Sequence, residues 1–156
     1  MAATKHGGGG FNPLRGFAWY GINASNASFT SDGLSAGNCV RFGPSIASIS
    51  CGSNWLMARP GGPRDVMGVA STVMPARPSI THLAEPAFVR MCGFGPLMVT
   101  GAVAPGDPLC SYTTKSGVAK KATDTATGLV FAVSYGTHAV GDARSLIPAM
   151  ILPWRV

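Results

Sequence analysis

The sequence predicts an all-β fold: a small β-sandwich or β-barrel core with an extended N-terminal arm and an irregular middle lobe. Three observations predict it. Gly (21) and Pro (12) are abundant in 156 residues, and both disfavour helix interiors and punctuate chains that turn often. Hydrophobic residues reach 46% while charged ones stop at 12%, about half the roughly 25% of ordinary domains, so the chain buries a core rather than staying disordered. Short β-prone runs bounded by Gly, Pro, Asp or Thr follow one another through 87–152, the pattern of a sandwich or barrel.

Residues 1–33 read as the arm. Gly7-Gly8-Gly9-Gly10 carries a large ordering cost. Phe11, Phe17, Trp19 and Tyr20 follow it, and such side chains need a surface to bury against. That surface is either a neighbouring molecule or the protein's own core. Residues 34–156 form a single β domain, divided into an irregular lobe over 34–86 and a regular β core over 87–156. In the lobe, LSAGNCVRF over 34–42 reads as a turn and then a strand, and short strands are expected near 46–51 and 66–73. The Gly/Pro run around Arg59 and Arg64 breaks any regular pattern, and a long connection of this kind inside a compact domain is usually functional or mobile. In the core, strands are expected at 87–92, 97–100, 108–112, 118–122, 128–135 and 145–152.

Three turns echo one another: Ala36-Gly37-Asn38, Pro105-Gly106-Asp107 and Val140-Gly141-Asp142. Gly accepts a positive φ, and the following Asn or Asp bonds nearby backbone, so each places a turn just ahead of a strand.

Charge and cysteine usage narrow the function. The net charge of +6 comes from twelve Lys and Arg against six Asp and Glu. The arginines stand singly and only Lys120-Lys121 are adjacent, whereas nucleic-acid binders cluster their basic residues. Scattered arginine suits an acidic protein surface better, so no direct nucleic-acid partner is expected. So little surface charge suggests a chain largely covered by other chains. Cys39, Cys51, Cys92 and Cys110 form no C-x-x-C pair, and reduced, mostly buried thiols are the expected state. No run approaches the roughly 18 apolar residues of a membrane span, and residues 1–10 lack the apolar centre of an export signal; no membrane partner is expected. Asn23-Ala-Ser25 and Asn26-Ala-Ser28 match the glycosylation pattern, but without export they read as a polar stretch.

No constellation specifies catalysis. Gly33-Leu34-Ser35-Ala36-Gly37 matches G-x-S-x-G, yet the strained elbow needs a strand before it and a helix after it. Here a polar loop precedes and a strand follows. His6, His82 and His138 are far apart, without metal-ligand spacing; a general base with a nearby carboxylate is geometrically possible for His138 and Asp142, but nothing specifies it. Most of the six acids sit in turns, and no carboxylate pair or calcium-binding arrangement is visible. No enzyme activity, metal or cofactor is expected.

The stretch 97–152 carries a resemblance. LMVTGAVAPGDPLC over 97–110, GVAKKAT over 117–123, TGLVFAVS over 127–134 and VGDARSLIP over 140–148 resemble the strand-and-turn cadence of small capsid decoration, or cement, proteins of tailed bacteriophages. The likeness covers about a third of the chain and carries no catalytic motif. Residues 1–86 and the final Pro153-Trp154-Arg155-Val156 lie outside it.

The resemblance implies a structural protein on the outer surface of the virion capsid, made in the host cytoplasm. It would bind the major capsid protein and stabilise contacts between shell subunits, as a homo-oligomer, commonly a trimer. Under it Phe11, Phe17, Trp19 and Tyr20 become contacts of the arm, Arg15 pairs with shell carboxylates, and Trp154 anchors a contact, since Trp and Arg dominate interface energies. A low-copy virion fibre, or a β module gripping a receptor or glycan, is the alternative. A small hydrolase built on Ser35 and a histidine is the third.

Overall fold

A computed structural model describes residues 10–12, 16–23, 34–42, 55–58, 66, 68–73, 87–111, 117–123, 129–139 and 143–153. Every regular element among them is a strand. The all-β expectation holds.

The first half of the chain builds one sheet from β1 (Gly10–Asn12), β2 (Gly16–Asn23), β3 (Cys39–Phe42), β4 (Trp55–Ala58), β5 (Gly68–Ala70) and β6 (Ala87–Arg90). Its order is β1-β2-β4-β3-β5-β6, and β2 also pairs with β6, which brings the sheet back on itself. β2 runs antiparallel to β1 and β6 and parallel to β4. The second half closes a five-stranded barrel, β10-β11-β7-β9-β8. Its strands are β7 (Gly93–Val99), β8 (Pro108–Ser111), β9 (Ala119–Lys121), β10 (Ala132–Ser134) and β11 (Ser145–Ile151).

Within the stretch read as the arm, the backbone of residues 10–12 and 16–23 lies in the sheet. The physical reason is backbone pairing. GFAWYGIN is a β-prone run, and β6 on one edge with β1 and then β4 on the other supply partners for its N–H and C=O groups. The irregular lobe likewise contributes β3, β4 and β5. The expected strand near 46–51 lies outside the described residues.

Two of the three echoed turns are built alike. Asn38 N–H donates to the Ser35 carbonyl at 3.1 Å, and Asp107 N–H to that of Ala104 at 3.1 Å. In return the Asn38 Oδ1 accepts from Ser35 N–H at 2.9 Å, and the Asp107 Oδ2 from Ala104 N–H at 2.8 Å. Gly37 and Gly106, at φ of 84° and 88°, fill the third position of a type II turn, which requires a positive φ. Gly141 and Asp142, in the third echo, lie outside the described residues.

The sheet and the barrel share a core. Strand alternation sends neighbouring residues to opposite faces. On β3 and β5, Cys39 and Val69 join Leu97, Val99, Leu109, Phe131, Ile147 and Ile151 of the barrel in one cluster. Their neighbours Val40 and Ala70 join Leu34, Ala87 and Val89 in a second, against which Met91 packs. The β3–β5 layer therefore has both faces buried. Among the described residues Phe131 is the largest fully buried side chain; trimming such a residue to alanine costs about 3–5 kcal/mol.

The junction is polar as well as apolar, and it falls where the barrel wall is thinnest. β7 and β9 pair through one residue couple, Val99 and Ala119, supplemented by Thr100 N–H to the Ala119 carbonyl at 3.0 Å. The turn at 36–39 is stitched across that seam. Met98 N–H on β7 donates to the Gly37 carbonyl at 2.8 Å, and Cys39 N–H donates to the carbonyl of Gly117, just ahead of β9, at 2.9 Å. Gly37 and Ala70 also tie the turn to β5, with Gly37 N–H donating to the Ala70 carbonyl at 2.7 Å.

Candidate functional site

The feature that most resembles a working surface is the outer face of the β7–β11 pair. These strands are antiparallel in register over seven residues, from Gly93 opposite Ile151 to Val99 opposite Ser145. Leu97, Val99, Ile147, Ala149 and Ile151 point into the core. The alternate positions point outward, and each is apolar: Phe94 opposite Met150, Pro96 opposite Pro148, Met98 opposite Leu146. Phe94 is 45% exposed and Leu146 49%. Tyr135, directly after β10, extends the face at 58% exposure, with its ring meeting that of Phe94 edge to face at 5.6 Å and 81°.

Local chemistry explains how two prolines sit mid-strand here. Met98 N–H is turned away from β11 to the Gly37 carbonyl, and the Pro148 carbonyl is turned away from β7 to accept from Tyr135 N–H at 2.9 Å. The outward couples are thus the non-hydrogen-bonded pairs of the β7–β11 ladder. Pro96 and Pro148 face each other at such a couple, where a missing N–H removes no bond between the two strands.

Charge lies elsewhere on the barrel. β9 carries Lys120 and Lys121, and the Lys121 ammonium pairs with the Asp107 carboxylate at 2.7 Å. The Lys121 hydrogen bond first, and then that of Ala104 N–H, hold the Asp107 carboxyl below the ordinary aspartate range. Burial pushes the Cys110 thiol up.

The residues expected as contacts are distributed as follows. Phe11 and Phe17 are opposite each other across β1 and β2, and Trp19 and Tyr20 are opposite Val89 and Phe88 of β6. Phe88 itself is 43% exposed. Arg15 and Trp154 lie outside the described residues. The β7–β11 face was not anticipated, although a signal for it existed. GFGPLMV and SLIPAMI are apolar at both parities, the mark of a strand with both faces covered.

The G-x-S-x-G match leads into β3 rather than a helix, and Ser35 is engaged through its backbone by Asn38. The His138 Nδ1 is 2.7 Å from the Gly101 carbonyl, while Asp142 lies outside the described residues. Among the described residues, no three of His, Cys, Asp and Glu are grouped to hold a metal. Cys39 and Cys110 are buried and Cys92 is half-buried.

No protein-family model and no curated protein matches the chain. A solved structure does: the N base of the head fibre protein gp8.5 of bacteriophage phi29, at 13% identity and a TM-score of 0.57, over 89% of this chain and 96% of that one. The likeness is one of fold. It extends over nearly the whole of both chains.

Proposed function

We propose that this chain is a structural protein of a bacteriophage head, carried on the outer surface of the capsid as a decoration protein that binds the major capsid protein. The observation that carries the proposal is the fold likeness to a head-fibre base over 96% of that chain. The cadence of 97–152, read independently from the sequence, points to the same setting. An apolar outer barrel face on a chain with 12% charged residues suits a protein whose surface is covered in an assembly. Many modest contacts repeated over a shell then add to a firm attachment.

The base of a low-copy head fibre is the second reading, favoured by the nature of the structural neighbour itself. Densitometry of this chain against the major shell protein in purified particles separates the two. A copy number comparable to the shell protein supports decoration, and a small fraction of it supports a fibre base. Absence from particles overturns both.

A further inference from the structure

The two halves of the chain are wound alike. In the first, β2 pairs in parallel with β4, and the circuit β4-β3-β5-β6-β2 is antiparallel throughout. In the second, β7 pairs in parallel with β9, and the circuit β9-β8-β10-β11-β7 is antiparallel throughout. The correspondence holds residue by residue. Val40 opposite Gly68 matches Leu109 opposite Ala132, and Ala70 opposite Val89 matches Ser134 opposite Ala149. Gly37 N–H donates to the Ala70 carbonyl at 2.7 Å, and Gly106 N–H to that of Ser134 at 2.8 Å. Ala70 N–H donates to the Asn38 carbonyl at 2.8 Å, and Ser134 N–H to that of Asp107 at 2.9 Å. Leu34, Val40 and Val89 of the first core fall on Val103, Leu109 and Ala149 of the second. The chain is a tandem pair of one five-stranded module.

Inside the chain the modules pack head to tail. The first offers its turn at 35–38 with Cys39, Val66 and Val69, which join the core cluster of the second module. The second receives them at its parallel seam, through Met98 N–H to the Gly37 carbonyl and Cys39 N–H to the Gly117 carbonyl. The second module carries the same face, with its turn at 104–107 and Pro108, Val130 and Val133 at the matching positions. There the face is open. A Cβ on Gly37 collides with Leu146 of the second module, whereas one on Gly106 meets nothing within 4 Å. Gly37 and Cys39 are buried, while Gly106 and Pro108 are exposed and Val130 and Val133 half-buried. We propose that this face receives the first module of a second copy, so that the junction within one chain is repeated between chains.

The internal junction selects that occupant. What covers this face on the first module is another module of the same fold, met at its parallel seam. In a second copy the β7–β9 seam is already engaged by its own first module, which leaves the equivalent β2–β4 seam. All three positions stay apolar in the second module although they are not covered, which is what a docking face requires. Two donors are not repeated. Pro108 has no N–H where Cys39 has one, and Asp107, in the place of Asn38, pairs with Lys121. The contact between chains is therefore weaker than the one within a chain, and it depends on concentration. Different faces of each copy meet, so association is head to tail and forms a ring where the rotation closes.

The test uses the full chain in two arms. Sedimentation over a concentration series should show self-association that Pro108→Lys weakens by about tenfold or more. Cys39 at the matching position shows that the module does not need proline there. A photo-crosslinking phenylalanine analogue at position 105, an exposed turn residue, should join heavy-isotope to light-isotope copies, with the adduct mapping to β2 or β4. That arm holds even where the lysine variant folds poorly. A chain that stays monomeric overturns the proposal, as does association indifferent to Pro108→Lys in a folded variant, or an adduct between copies mapping elsewhere. The outcome is separate from the particle assay: self-association without incorporation into heads would remove the proposed function and keep this interface, and the reverse result would do the opposite.

Discussion

The carbonyl of Gly117 accepts two hydrogen bonds from one short stretch of distant chain, from the Asn38 amide Nδ2 at 3.1 Å and from Cys39 N–H at 2.9 Å. Asn38 spends its other side-chain atom on Ser35 N–H, and its carbonyl accepts from Ala70 N–H at 2.8 Å. One buried residue thereby joins its own turn, the neighbouring strand β5 and the barrel. Asn38→Ala should cost about 1–3 kcal/mol, the penalty for stranding buried polar groups, read as a lowered denaturant midpoint at unchanged slope. Asn38→Asp keeps the acceptor for Ser35 but turns a carboxylate toward the Gly117 carbonyl. It should be less stable than wild type at neutral pH and recover part of the loss on acidification, when the protonated carboxyl can donate.

Gly37 and Gly106 provide a matched comparison, with nearly equal φ of 84° and 88° in opposite surroundings. A Cβ on Gly106 meets nothing within 4 Å, whereas one on Gly37 collides with Leu146 Cδ2 and comes to 3.0 Å from the Met98 nitrogen. Gly106→Ala should cost only the left-handed conformation, about 1 kcal/mol. Gly37→Ala should cost clearly more, because the β7 backbone must also move. Equal thermal midpoints for the two variants would refute the distinction.

The Asp107 carboxylate, held low by Lys121 and by Ala104 N–H, gives a pH signature. Its contribution to stability is fully present above the ordinary aspartate pKa and is lost as pH falls through its lower folded value. Wild type should exceed Asp107→Asn at neutral pH, with the gap closing below roughly pH 4. Urea melts across that range test it.

Deleting residues 1–23 removes β1 and β2. The latter bridges β4 and β6, so the truncated chain should lose cooperative unfolding of the sheet and hydrogen-exchange protection in β4 and β6. A shortened chain with a fully protected sheet would return these residues to the status of a dispensable arm.

The thiols should sort by burial. In the native protein a thiol reagent should modify Cys92, which is half-buried, while Cys39 and Cys110 react only on unfolding. Peptide mapping after timed alkylation gives the order.

The legible parts of this fold are the local ones. Turn chemistry at 35–38 and 104–107 is written in four adjacent residues each, and the strands after 87 stand between clear breakers. The stitch from Asn38 to Gly117 spans 79 positions and depends on where two separate segments come to rest, which no local pattern encodes. The place of β2 was equally hidden, because aromatics in a run suit a sheet or a contact equally well. The outer barrel face escaped notice for a different reason. Pro96 in GFGPLMV reads as a strand breaker, so the strand was expected only from 97, and the pairing of Pro96 with Pro148 shows that it breaks nothing.

The clamp across the β7–β9 seam also imposes an order of events. Its donors at 38 and 39 leave the ribosome long before their acceptor at 117, so the barrel wall cannot be sealed while the chain is still short. The nascent N-terminal half can tie its turn to β5 through Ala70 but must wait for the bonds to Gly117. Closure depends on contacts between remote segments, a regime in which β proteins fold in milliseconds to seconds. A stall between 90 and 117 would leave apolar strand surface without its counterpart, and such species aggregate.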